Sequence, residues 1–190
     1  MWIYEKKLIY PVKITRPNVR MAKLIGNLLG GSAGETSAGL TYLNQRFSMP
    51  DERSRAILTD VGTEEISHME MLQAMLRMYL KGAKKDDLIK YDMMGWVTEY
   101  GEAPFYADSN GAPWSAQYVG STGDSIADLT HDLGAEERAR AGYDAAIRMS
   151  DDPDGINALQ FLREREIVHY QRFGEALEHV YDLKDRKKCF

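Results

Sequence analysis

Two short stretches of this chain read alike: Glu65-Ile66-Ser67-His68 and Glu166-Ile167-Val168-His169. On a helix, Glu-x-x-His sets a carboxylate and an imidazole on one face, one turn apart, aimed at one point. Both pairs fall inside an apolar stripe. The first stripe is Ile57, Val61, Glu65, His68, Leu72, Met75 and Tyr79; the second is Leu159, Leu162, Glu166, His169, Phe173, Ala176 and Val180. A carboxylate in such a stripe costs several kcal/mol unless it takes up a proton or meets a cation. A metal ion is the expected cation. The plainer alternative is two core histidines, each bonded to a neighbouring glutamate.

The length suits one domain with a full core. Residues 1–16 alternate loosely and contain Pro11, which predicts an extended arm or short edge strand. Helices are predicted over 17–46, 51–81, 123–150 and 153–183, separated by Phe47-Ser48-Met49-Pro50-Asp51 and by Ser150-Asp151-Asp152-Pro153-Asp154-Gly155. The first of these holds Gly30, Gly31, Gly34 and Gly39, a costly cluster that calls for close packing, a bulge or access for a small ligand. Residues 83–121 lack a sustained helical period and are rich in Gly, Pro, Tyr and Trp, which predicts a long crossover loop. The tail from Lys184 to Phe190 is expected to fray. The order hairpin, crossover, hairpin is the ferritin-like way to connect four helices, so the expected fold is an all-α, ferritin-like four-helix bundle in one domain, 1–190.

In such a bundle a dinuclear site takes a Glu from each of two helices and Glu-x-x-His from each of the other two. Residues equidistant from a hairpin turn lie level. With turns near residues 50 and 152, the level partners of the two Glu-x-x-His pairs fall near 33–34 and 136–137. The nearest carboxylates are Glu35 in the first case and Glu136 or Glu137 in the second. Glu136 keeps the stripe, with Leu129 seven before and Tyr143 seven after; Glu137 should face water. Four buried glutamates, Glu35, Glu65, Glu136 and Glu166, would be balanced by two divalent ions. Carboxylate with imidazole suits manganese or iron, and the lack of thiolates argues against structural zinc. Periodicity leaves Glu64 and Glu65 both open, and the matched spacing in the second stretch favours Glu65. Tyr42, two turns after Glu35 on the same face, is a candidate donor to a ligand carboxylate, with a plain core tyrosine as its alternative. Arg140, one turn beyond Glu136, is a candidate partner for a carboxylate at the site, with a surface ion pair as its alternative.

Several motifs in one order then resemble the manganese (non-haem) catalases: Gly34-Glu35, Tyr42-Leu43-Asn44-Gln45-Arg46, Asp60-Val61-Gly62-Thr63-Glu64-Glu65-Ile66-Ser67-His68, Asp108-Ser109-Asn110-Gly111-Ala112-Pro113-Trp114, Gly123-Asp124 with Asp128-Leu129, and Glu136-Glu137-Arg138-Ala139-Arg140. The opening Tyr4-Glu5-Lys6-Lys7-Leu8 and the short length most resemble the spore-coat, CotJC-like branch. The resemblance implies ligation of two manganese ions by Glu35, Glu65, His68, Glu136 and His169. It implies that Glu166 carries protons outside the ligand set, which differs from the symmetric site built from the bundle pattern. It further implies hydrogen peroxide as substrate, disproportionated to water and dioxygen, and a hexamer. Two departures stand out. Larger members carry an Arg just before the third-helix Glu, where this chain has Ala135, and they carry a C-terminal extension, whereas this chain stops at Phe190.

Net charge −5 and pI near 5.4 argue against a nucleic-acid partner. No apolar run approaches the roughly 20 residues of a membrane helix. A lone Cys189 and a start without signal-peptide order fit a cytoplasmic protein, with the spore coat as the destination that the branch resemblance implies. Two rival readings remain open: a di-iron oxidase or ferroxidase-like protein, and a structural coat protein with a weakly active site.

Overall fold

The computed structural model describes residues 7–187. The opening Tyr4-Glu5-Lys6, the rest of the arm's first six residues, and Cys189 lie outside that range. The described residues are helical, and their only β pairing is an isolated bridge between Ala107 and Pro113. The helices are α1 (Val19–Gly30), α2 (Glu35–Gln45), α3 (Glu52–Leu80), α4 (Lys85–Lys90), α5 (Met94–Tyr100), α6 (Ser125–Met149) and α7 (Pro153–Lys187). Starts are set by local chemistry. Asn18 caps α1 by accepting from the Met21 N–H, Asp51 caps α3 through Ser54 N–H, and Asp124 caps α6 through Ile126 and Ala127. Pro153 opens α7, where its missing N–H costs nothing.

The four legs of a ferritin-like bundle are α1 with α2, then α3, α6 and α7. The first leg differs from the single helix expected over 17–46: it begins at Val19 and breaks at residues 31–34. The crossover packs against the last residue of α1, just before the break. A Cβ on Gly30 would overlap the backbone N, C and O of Ala107 in the crossover. The crossover is further pinned by Trp114 Nε1, which donates to Ser37 Oγ at 3.0 Å, while Ser37 Oγ donates to the Gly31 carbonyl at 3.0 Å. Both halves still run along α3, as the Asn18 N–H bond to the Tyr79 carbonyl (3.0 Å) marks at one end. The crossover itself carries two short helices, α4 and α5, which its composition concealed. Of the arm, residues 7–16 have no regular secondary structure and bend at residues 7, 9, 10 and 16; Val12 is buried and Tyr10 stacks on Phe161, centroids 4.6 Å apart. At the other end α7 continues to Lys187, so the fraying expected from Lys184 does not begin there.

Gly30→Ala tests this contact. Helix propensity alone would favour Ala by up to about 1 kcal/mol. Backbone on the far side cannot yield as a side chain would, so a net loss of about 2–3 kcal/mol is expected, a fall of about 5–10 °C in a thermal melt. An unchanged or raised midpoint would show that this contact does not constrain residue 30.

The core divides into two apolar clusters. One holds Met21, Ile25, Leu72, Met75, Leu76, Leu159 and Leu162; the other holds Tyr42, Ile57, Leu58, Val61, Leu129, Phe173 and Val180. Between them, at the level of residues 65–68 and 166–169, the bundle interior is charged.

Candidate metal centre

Six side chains from four helices meet in this layer: Glu35 from α2, Glu65 and His68 from α3, Glu136 from α6, Glu166 and His169 from α7. Each is at most 2% exposed. Donor atoms of Glu65, His68, Glu166 and His169 all lie within 4.8 Å of one another. Glu65 lies between the imidazoles, with Oε2 2.8 Å from His68 Nδ1 and Oε1 2.8 Å from His169 Nδ1. Glu35 Oε2 is 3.8 Å from His68 Nδ1, Glu136 Oε2 is 3.6 Å from His169 Nδ1, and Glu166 Oε1 is 3.5 Å from His68 Nδ1. Gly39 permits this depth, because a Cβ there would lie 2.9 Å from Ile66 Cδ1 and 3.3 Å from Glu65 Cβ. Its absence lets α2 close on α3.

The short distances are not hydrogen bonds. Glu35 Oε2, both oxygens of Glu65, both ring nitrogens of His68 and His169, Glu136 Oε2 and Glu166 Oε1 are buried with no aligned partner. Buried polar atoms are rarely left so, and the seven that remain when the two outward Nε2 atoms are set aside call for a ligand that accepts lone pairs from several directions. Oxygen and imidazole nitrogen donors without thiolate fit a metal of the manganese and iron type.

Electrostatics agree. Left to protons alone, the layer must neutralise itself. Burial, then repulsion by Glu65, lifts the Glu35 carboxyl to about 8 against the pull of His68. Burial followed by Glu35, Glu65 and Glu136 holds Glu166 well above the carboxylate range. Burial opposes the charged imidazole of His169, yet Glu65, Glu136 and Glu64 outweigh it and push its pKa up to about 12. Burial would raise Glu65 as well, but His169 and His68 outweigh it and hold that carboxyl low. Cations at the centre would take over the balancing that these protons perform.

The surroundings are arranged as near mirror halves. Tyr42 Oη donates to Glu136 Oε1 at 2.5 Å, and Tyr143 Oη donates to Glu35 Oε1. Each tyrosine lies seven residues after the glutamate of its own helix and serves the glutamate of the other. Tyr143 entered the sequence reading only as a stripe residue; the repeated Glu-x6-Tyr spacing is the signal that could have found it. Glu64 also belongs here. Its carboxylate faces His68 Nε2 at 3.5 Å and His169 Nε2 at 3.3 Å, opposite the Nδ1 atoms that face Glu65, and Arg165 holds it at 2.5 and 3.1 Å. A carboxylate on the Nε2 side of an imidazole favours the proton there and leaves Nδ1 as the lone pair turned to the centre. Periodicity could not separate Glu64 from Glu65 because both touch the histidines, from opposite sides.

Arg140 does not join the centre. It pairs with Glu137 at 2.9 Å and Asp144 at 2.7 Å in a half-exposed network that also includes Arg163. A long cationic side chain at the edge of the buried stripe carries its head to water and to surface carboxylates.

One buried acid lies just outside. Asp132, one turn before Glu136, is fully buried, and neither oxygen has a hydrogen bond in good geometry. Burial holds its carboxyl well above the ordinary range; Gln45 draws it partly back, and Glu136 and Asp128 push it further up. The folded chain therefore keeps a proton that the unfolded chain releases near pH 4, and stability falls as pH rises from there toward the folded value. Asp132→Asn removes that fall. The variant should melt above the wild type at pH 7, and the difference should shrink as pH drops to about 4. A difference independent of pH would mean that Asp132 is not protonated on folding.

Comparison with known proteins agrees with the geometry. The family described as manganese containing catalase matches residues 1–188. Protein CotJC of Bacillus subtilis is 46% identical over 190 residues, all of both chains. A probable manganese catalase of Clostridium acetobutylicum is 36% identical over 188 residues, covering 95% of this chain and 81% of that one. The crystal structure of KatB, a manganese catalase from Anabaena, superposes with a TM-score of 0.88 at 32% identity, covering 97% of this chain and 83% of that one. With a family match that spans nearly every residue and a solved relative of the same helical architecture, this chain belongs to the manganese-containing catalase family.

Proposed function

We propose that the protein is a manganese catalase, converting two molecules of hydrogen peroxide to two of water and one of dioxygen. The observation that carries the proposal is the buried layer of seven oxygen and nitrogen atoms without hydrogen-bond partners, the two outward Nε2 atoms set aside, with Glu65 set between two imidazoles. Glu35, Glu65, His68, Glu136 and His169 would hold two ions, with Glu65 facing both. A bound pair of manganese ions supplies a two-electron couple that can be reduced by one peroxide and oxidised by the next. The chain's own residues do the rest. Tyr42 and Tyr143 fix the outer carboxylates by donating to one oxygen of each, leaving the other free to ligate. Glu64, anchored by Arg165, sets the imidazole planes. Reduction of peroxide to two waters consumes two protons, and oxidation of peroxide to dioxygen releases two. We assign to Glu166 the carriage of protons between these steps on Oε1, an atom that lacks a partner and lies 3.5 Å from His68 Nδ1.

Protein made in manganese- and in iron-supplemented medium, assayed for metal content and for dioxygen release in a peroxide electrode cell, tests the reading. Turnover confined to the manganese form supports it. Dioxygen consumption or Fe(II) oxidation confined to the iron form would install the di-iron reading instead. A second reading, a structural coat protein with a weakly active centre, draws on the full-length likeness to CotJC and on Ala135 in place of arginine. It predicts stable homo-oligomers with little turnover even when fully loaded. For the catalase reading we propose a homo-oligomer as well, a hexamer, in the cytoplasm or spore coat. Among the described residues no helix is long and apolar enough to cross a membrane.

A further inference from the structure

The six clustered side chains are each at most 2% exposed, so an ion can neither enter nor leave until part of their cover opens. Three sides are candidates. A narrow cavity between the start of α2 and the 131–139 face of α6 reaches Glu35 and Tyr42 and is bordered by Arg138, but its volume is about 40 Å³. A divalent ion with six waters needs about 200 Å³, at about 30 Å³ for each water. On the Nε2 side of the histidines, Arg165 stands outside Glu64 and meets an incoming cation with like charge. The third side lies beside the arm. An open groove of about 560 Å³ runs there, and Tyr10, Asp144, Ile147, Asn157, Phe161 and Arg163 are among the residues that line it.

From this groove to His68 the cover is a pair of rings. Tyr10 stacks on Phe161 with centroids 4.6 Å apart and planes 18° apart, and Phe161 meets the His68 ring edge-on at 6.5 Å. Phe161 is fixed to α7, whereas Tyr10 belongs to the arm. Among the described residues, 8–16 make no backbone–backbone hydrogen bond to the bundle; Leu8, Tyr10, Val12 and Ile14 hold the arm by apolar packing. A segment attached in that way opens at lower cost than the helices that it covers. With Tyr10 gone from its face, Phe161 is free to rotate away from His68.

We propose that the arm is a strap over the metal centre: the Tyr10–Phe161 stack closes the His68 side, and lifting of the arm is the opening through which ions are exchanged. The inference rests on the proposed centre and deepens it by naming what regulates the exchange of its ions.

The rate of metal release tests the strap without turnover. Manganese-loaded wild type, Tyr10→Ala, Tyr10→Phe, Phe161→Ala and Gly30→Ala, matched for metal by elemental analysis, are mixed with excess EDTA, and the manganese that passes a protein-retaining filter is measured over time. Tyr10→Ala and Phe161→Ala are expected to release manganese at least about tenfold faster than wild type, because a stacked pair and the surface that it covers stand against the opening. Tyr10→Phe keeps the stacked ring and should stay within about twofold. Gly30→Ala weakens the fold at its contact with Ala107 rather than at the arm, and it too should stay within about twofold. Release from Tyr10→Ala within twofold of wild type, or an equal rise in Gly30→Ala, overturns the proposal. Wild type that takes up no manganese removes centre and strap together; manganese that is held but leaves at a rate indifferent to Tyr10 removes the strap alone. Release as described from a protein that yields no dioxygen from peroxide upholds the strap and removes the catalase reading.

Discussion

Glu166→Gln is expected to keep its metals and lose about a hundredfold or more of peroxide turnover. The glutamine has the same length and fits the same buried site, but its amide cannot take up or release a proton near neutral pH. Proton transfer by a positioned side chain is commonly worth about 10²–10⁴ in rate. Glu166 has the features such a residue requires: its Oε1 is unpartnered, and burial, then the surrounding carboxylates, hold its proton affinity high. Metal analysis and the oxygen electrode read the two halves of the expectation separately. The geometry makes the test sharp, because Glu166 donor atoms lie within the same 4.8 Å group as Glu65, His68 and His169. A variant that loses metal in step with activity would return Glu166 to the ligand set, as the symmetric bundle pattern has it.

Glu65→Gln should do the opposite and empty the centre. Both Glu65 oxygens face an imidazole Nδ1 at 2.8 Å, so this carboxylate lies between the two histidines on their inward side. An amide replaces one oxygen by an N–H2 group, which offers a hydrogen atom where a lone pair is needed and removes a negative charge from a site proposed to balance two divalent ions. Even outer residues around a metal typically cost 10–100-fold in affinity or activity, so a loss of at least about a hundredfold is expected for this one. Elemental analysis after dialysis against a weak chelator measures it. Full occupancy in Glu65→Gln would show that ions sit elsewhere in the layer.

Most of the architecture was legible because the strongest signals in this chain are periodic. Apolar stripes at 3,4 spacing define α3 and α7, and two acid–imidazole pairs interrupt those stripes at matched positions. Equal distance from each hairpin turn then led to Glu35 and Glu136. That step works because rise per residue is the same in every α-helix, so sequence distance from a turn converts directly to depth. The break between α1 and α2 was not legible as a break. Its glycines were visible, but the backbone that Gly30 makes room for belongs to Ala107, more than seventy residues away. Asp132 went unread because a carboxylate at a stripe position looks the same whether it meets a cation or keeps a proton.

The sequence by itself determined which residues are forced into the interior and at what level: Glu35, His68, Glu136, Glu166 and His169 follow from helix periodicity and turn position, and Glu65 from the repeated Glu-x-x-His spacing. Only the tertiary structure decided what each faces. Tyr42 crosses to Glu136 and Tyr143 to Glu35, Glu64 takes the Nε2 side of both imidazoles, and Arg140 turns to the surface while Arg138 borders the cavity. The physical reason is one of range. Periodicity is a property of a single helix and fixes direction from its own axis, whereas partnership depends on the distance and rotation between two helices, which packing over the whole core sets.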